Sequence, residues 1–178
     1  MEELEDDTPG TRADWLSICD EVMREDALER PDGTMAAEPQ TVYSGSPLYR
    51  DNLLLKETFE LSVKTIKFVD VLGSQRRWLI EQFESSACSP GANSKEAQNA
   101  ESLKDFIHKL KIALKEADEA EYWYYVIAAT QSNGTDTDLI SRIQRVMRIL
   151  NKIISTSKQR LQERKHRSLP PSANPPIS

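Results

Sequence analysis

Between Ser94 and Thr130 the chain runs 37 residues without a glycine or a proline, in a stretch rich in Ala, Lys, Glu and Leu. Phe106, Leu110, Ala113, Ala117, Ala120, Tyr124 and Ile127 recur within it by alternating steps of four and three. That period places them on one stripe of an α-helix and on no single face of a strand. A stripe of this length must be covered by other helices. The rest of the chain agrees: 38% of residues are apolar, 29% charged and 7% aromatic, and strand-formers never cluster between turn signals. The class is all-α, and 178 residues accommodate one core with room for tails.

Three further helices flank this one. Ser46-Pro47 forms an N-cap and first-turn pair, and Leu55, Phe59, Ser62, Ile66 and Val69 step by four and three until Gly73 stops the helix. Trp78, Leu79 and Phe83 begin a second helix near Gln75, and SPGAN at 89–93 is expected to break or kink it through Pro90 and Gly91. Helix resumes near Ser94. Asn133-Gly134 supplies a turn, and Thr135 with Asp138 three residues on resembles a capping box for the last helix. The seam of that helix is Ile143, Met147, Leu150, Ile154, Ser157 and Leu161. Four helices with short connections predict an antiparallel, up-and-down four-helix bundle over 48–165.

Two of these helices carry a second apolar stripe. Leu54, Leu61, Phe68 and Leu72 lie about 100° or more around the first helix from its seam. Val146, Ile149 and Ile153 widen the arc of the last. One four-helix core needs less apolar surface than this, so Leu54, Leu61, Phe68, Val146, Ile149 and Ile153 are assigned to contacts between copies in a homo-oligomer. The alternative is a broad core within a single chain.

The ends differ from the middle. Residues 1–47 hold 13 acids against 3 bases, a net −10, with turn residues throughout. A short amphipathic helix is expected near 14–28, where Trp15, Ile18, Val22 and Met23 share a face suited to docking on a partner or on the chain's own oligomer. From Ser168 the proline-rich SLPPSANPPIS cannot continue a helix, and 166–178 is read as a disordered tail. Apolar runs reach only about four residues and the chain opens MEELEDD, so neither a membrane span nor a signal peptide is expected. Cys19 and Cys88 are isolated, without metal or disulfide spacing, which points to a reducing, cytoplasmic setting.

Candidate chemistry is sparse. Asp105-x-x-His108 and Glu163-x-x-His166 have the spacing of a di-metal bundle centre. Each pair, however, lies about 140–160° from the seam of its helix, and inward ligands are missing. No metal, cofactor or small-molecule substrate is expected. Cys88 has no histidine that sequence can place beside it, and no phosphate-cradling glycine loop is present. The aromatic turn Tyr122–Tyr125 reads as packing before base stacking. The last helix is the informative element. Arg142, Arg145, Arg148 and Lys152 lie opposite its seam, and Lys158, Arg160, Arg164 and Lys165 continue the charge towards the C-terminus, an electrostatic footprint for phosphate.

The small-residue GAN at 91–93, EAQ at 96–98 and the block DFIHKLKIALKEADEAEYW ending at Trp123 resemble the proteins encoded within intervening sequences of bacterial large-subunit ribosomal RNA genes. The resemblance spans roughly residues 50–160. It implies an antiparallel four-helix bundle assembling as a homopentamer, with no established enzymatic activity. A more distant likeness is to the accessory variability protein of diversity-generating retroelements, a pentameric bundle that binds nucleic acid and a reverse transcriptase. Pro90 departs from the family pattern, where an apolar β-branched residue often sits, and the acidic extension has no counterpart in the short members. The sequence therefore points to a non-enzymatic oligomeric scaffold or adaptor associated with RNA, or alternatively to a retroelement accessory protein bound to a reverse transcriptase.

Overall fold

A computed structural model describes Ser17, Ile18, residues 52–73 and residues 76–168. The expectations for Trp15, Val22, Met23, the remainder of the acidic extension, the Ser46-Pro47 pair and the proline-rich tail lie outside these residues. Four long helices account for almost everything else: α1, Leu53–Leu72; α2, Arg77–Ala97; α3, Leu103–Thr130; and α4, Thr137–Ser168. There is no strand among the described residues. Helix α1 packs on α2 and α4, α2 on α3, and α3 on α4, so the contacts close a ring.

The boundaries follow local capping chemistry, which corrects the sequence expectations for the break in α2 and for the cap of α4. Asn52 caps α1, its extended backbone allowing the side-chain oxygen to accept from the Leu55 N–H at 3.1 Å. Helix α2 does not break at Pro90 but continues through it to Ala97. An internal proline costs a helix about 3 kcal/mol or more, and packing offsets this cost because Ser86, Ala87, Pro90, Ser94 and Ala97 form a buried stripe of small side chains. The break falls instead at 98–102. There Ser102 accepts from the Asp105 N–H at 3.1 Å, and the Asp105 carboxylate accepts from the Glu101 N–H at 3.2 Å. For α4 the cap is Asp136, not Thr135: its Oδ1 accepts from the Leu139 N–H at 3.0 Å.

The core is continuous along the four helices. Phe83, Phe106, Leu110, Ala113, Ala117, Ala120, Ile127, Leu139, Ile143 and Leu150 are all completely buried. Phe68, Phe83 and Tyr124 form an aromatic cluster with centroids 6.0–6.4 Å apart. The second stripes belong to this core. Leu54, Leu61, Phe68, Val146, Ile149 and Ile153 are each no more than 8% exposed within one chain, which overturns their assignment to contacts between copies. Of the expected α1 seam, Leu55 and Val69 are buried, Phe59 is half-buried and Ile66 is 45% exposed. The helix is rotated from the seam-inward orientation so that the second stripe is buried where α1 packs on α2 and α4.

Two glycines sit at close approaches of different kinds. A Cβ on Gly134 would stand 2.6 Å from the Ile127 carbonyl oxygen, inside the α3–α4 turn. On Gly91 it would meet Thr58 and Ser62 of α1 at 3.7 Å, ordinary contact. Gly134→Ala is therefore expected to destabilise by about 1–3 kcal/mol through overpacking. Gly91→Ala should be neutral or stabilising by up to about 1 kcal/mol through helix propensity. Urea denaturation followed by circular dichroism measures both, and equal loss at the two sites would contradict the packing described here.

Candidate nucleic-acid interface

The basic residues of α4 separate into two groups once α1 is in place. Arg145 Nε lies 2.8 Å from Oε1 of Glu57, a carboxylate that is itself buried. Arg142 reaches Glu60 at 2.9 Å and Asp138 at 3.2 Å. Lys64 of α1 completes the row with Asp136 at 3.0 Å and Asp138 at 3.2 Å. Apart from Arg142–Asp138, which lies within α4, these bonds hold α1 to the start of α4, and they correct the expectation that Arg142 and Arg145 are presented to phosphate. Glu57 and Glu60 face α4 for the same reason.

The second group faces outward. Arg148, Lys152, Lys158, Arg164 and Lys165 are exposed and Arg160 is half-buried; Lys152, Arg160 and Lys165 each take part in an interaction of their own. From Arg148 to Lys165 the chain holds six basic residues and one acid. Sequence reasoning missed a second contributor on α3. Gln144 Nε2 donates to Glu121 Oε1 at 2.8 Å, and the Tyr124 hydroxyl meets Asp136. Lys111 and Lys115 of α3 are also exposed. Residues 103–115 hold four lysines and one aspartate. The signal was available as a lysine run.

The remaining candidates resolve by position. Asp105 is engaged in the α3 cap, and His108, Glu163 and His166 are exposed. Among the described residues no cluster of three or more His, Cys, Asp or Glu side chains is placed to hold a metal. Cys88 is half-buried beside Ser62, and burial pushes its thiol up from the ordinary cysteine value against the lowering effect of the Ser62 hydrogen bond. No described helix is long and apolar enough to cross a membrane. Trp78, Tyr122 and Tyr125 are more than half exposed, and Trp123 packs edge-on against Trp78 with centroids 6.1 Å apart. This aromatic surface on α2 and α3 exceeds what packing within one chain consumes.

Fold and charge together define an all-α, four-helix protein with a polycationic end. Residues 50–152 match the family model described as 23S rRNA-intervening sequence protein, and the chain belongs to that family. It is similar at 29% identity to a solved structure from Bacteroides thetaiotaomicron, described as a protein of unknown function from the S23 ribosomal protein family. The TM-score is 0.52, covering 58% of this chain and 96% of the other. Comparison with curated proteins finds no match.

The α1–α4 ion pairs make stability depend on pH at both extremes. Burial alone would raise Asp138, but hydrogen bonds and charge from Lys64 and Arg142 outweigh it and hold the carboxyl below 3.8. The stability this group contributes is present above its unfolded value and is lost as pH falls below about 4. The hydrogen bond to Asp136 leads the causes that raise Lys64 above 10.5, so its contribution is present below that pH and is lost above it. Asp138→Asn should flatten the acid limb of Tm against pH, and Lys64→Met the alkaline limb. Arg145→Ala leaves the Glu57 carboxylate buried without this partner and should cost about 2 kcal/mol. Thermal melts from pH 3 to 11 measure the two limbs, and parallel curves for wild type and Asp138→Asn below pH 4 would refute the pairing.

Proposed function

We propose that the protein is a non-enzymatic, cytoplasmic adaptor: an antiparallel, up-and-down bundle that assembles with copies of itself and holds RNA on its polycationic end. The observation that carries the reading is the concentration of exposed positive charge from two helices at one end, with Arg148, Lys158 and Arg164 on α4 beside Lys111 and Lys115 on α3. Such a surface recognises the phosphate backbone and not the bases. Membership in the 23S rRNA-intervening sequence protein family supports RNA as the polyanion. Support for opposed helix directions comes from the α1–α4 pairs, in which Glu57, Glu60 and Lys64 meet Arg145, Arg142 and Asp138. Neither comparison names a reverse transcriptase, and that role is not carried forward.

Self-assembly is placed on the surface the core leaves open. Phe59 and Ile66 lie on the outward side of α1. A shallow groove lined by Leu55, Phe59, Ser62, Cys88, Gly91 and Ala92 runs beside them between α1 and α2. Its small side chains admit a neighbouring helix closely. Five copies would bring five cationic ends to one RNA, and weak patches acting together gain avidity.

Two measurements test these parts separately. Anisotropy titrations with a poly(U) oligonucleotide at several salt concentrations should give a linear fall of log K with log salt. Replacing Arg148, Lys158 and Arg164 together by Ala should reduce that slope by about two for a single strand; an unchanged slope would remove this end from the interface. Light scattering should report about five times 20.2 kDa. Phe59→Glu and Ile66→Glu should dissociate the assembly with helicity retained, whereas Leu61→Glu should unfold the chain because Leu61 is buried within it. A wild-type monomer at micromolar concentration would end the assembly proposal.

A further inference from the structure

Helix α1, 20 residues long, is shorter than α4, with 32. Its ion pairs set Glu57 beside Arg145 and Glu60 beside Arg142, so Leu53 at its start lies level with about residue 149 of α4. Helix α4 runs on to Ser168, about 28 Å further. Its apolar face continues past that level. Ile153 is 1% exposed, Ile154 5% and Ser157 0%, and Leu161 packs against the same core. Helix α2 ends level with the start of α1, where the Asn52 side chain donates to Gln98 Oε1 at 3.3 Å, and on α3 Leu103, Phe106 and Ile107 are still buried.

Far upstream in the chain, Ser17 and Ile18 are helical. Ile18 is 1% exposed and belongs to the same hydrophobic core as the four long helices. A side chain 34 residues before the cap of α1 is thus buried as deeply as the core itself. In sequence it is flanked by Asp14, Asp20 and Glu21.

We propose that the helical turn carrying Ile18 docks in cis on the end of the α3–α4 pair that α1 leaves uncovered, filling the place of the missing turns of α1. The acids beside it then lie against the lysines and arginines of that end, so the chain's own N-terminal segment is the resident counter-charge of the basic surface. Length permits this. The 33 residues between Ile18 and Asn52 span many times the width of a helix even when only partly extended. Charge favours it, since residues 1–47 carry net −10 against six bases and one acid from Arg148 to Lys165. A tethered acidic segment acts at an effective concentration of order mM, so an incoming polyanion must displace it. This competition rests on the RNA-binding reading above, whereas the docking itself does not.

The full-length chain tests both parts. Carbodiimide cross-linking with peptide mapping should join Asp14, Asp20 or Glu21 to Lys152, Lys158 or Lys165, and Ile18→Asp should abolish those links and lower the melting temperature. Links from these acids only to α1 or α2, or an unchanged melt for Ile18→Asp, would overturn the docking. Asp14→Asn with Asp20→Asn and Glu21→Gln keeps the apolar anchor and removes the charge. That variant should bind poly(U) several-fold more tightly at 50 mM salt, with the gain fading by 300 mM. Equal affinity of the variant and wild type at low salt would overturn the competition. Absence of poly(U) binding by both proteins, with the cross-links present, would leave the docking standing and would remove RNA binding, and the competition with it.

Discussion

One residue ties three of the four helices together, and the rest of the arrangement depends on it. The Tyr124 hydroxyl of α3 donates to the Asp136 carbonyl at 2.8 Å and accepts from the Asp136 N–H at 2.9 Å. The Asp136 carboxylate caps α4 through one oxygen and takes the Lys64 ammonium of α1 through the other. Both polar main-chain groups of a turn residue are thus satisfied by a single phenol whose ring lies in the Phe68 and Phe83 cluster. The hydroxyl can serve only while the ring is packed, and the ring packs against Phe68 only while α1 is held near. Core formation and turn formation are therefore the same event at this end. Gly134, with no room for a Cβ, closes the turn tightly enough to bring Asp136 to the phenol.

From that anchor the polar row on α1 and α4 fixes register. Apolar stripes alone would tolerate sliding by a turn, since Leu, Ile and Val contacts are non-directional. The pairs Glu57–Arg145, Glu60–Arg142 and Lys64–Asp138 do not. A one-turn shift would leave the Glu57 carboxylate buried against apolar surface, at a cost no surface pair recovers. Their worth lies in excluding other registers more than in net attraction, because partly exposed pairs contribute little on their own.

The number and approximate placement of the helices were legible in the sequence because the stripes of α3 and α4 are long and unbroken, and breakers stand near most junctions. Which way α1 is rotated was not. Two stripes of similar strength gave no reason within the helix to prefer Leu61 over Ile66, and the choice is made by what α2 and α4 present across the gap. The course of α2 was misread because Pro90 and Gly91 are local breakers whose penalty is offset by a buried small-residue stripe. The signal that does end the helix, Ser102 with Asp105 three residues on, was present in the sequence. For the site, charge pattern identified α4 but could not divide its bases. Arg142 and Arg145 differ from Arg148 only in lying on the arc that α1 covers.

That division gives the molecule electrical polarity along its length. At the Asp136 end, the bases Lys64, Arg142 and Arg145 are engaged by acids, and the later part of α3 adds Glu116, Asp118, Glu119 and Glu121 with no base among them. At the far end, α4 and the first half of α3 contribute positive charge with few acids among them, so their potentials add over the surface and survive to about a Debye length, ~8–10 Å in ordinary salt. A chain that concentrates like charge in this way bears a self-repulsion that salt screens and that an acidic neighbour would relieve further. The acidic segment around Ile18 has its one described anchor in the same hydrophobic core, and the order of helix ends places the uncovered apolar face beside the unbalanced charge. An apolar face that α1 does not reach and a positive potential at the same place suit an occupant that is amphipathic and acidic, the composition of the first 47 residues.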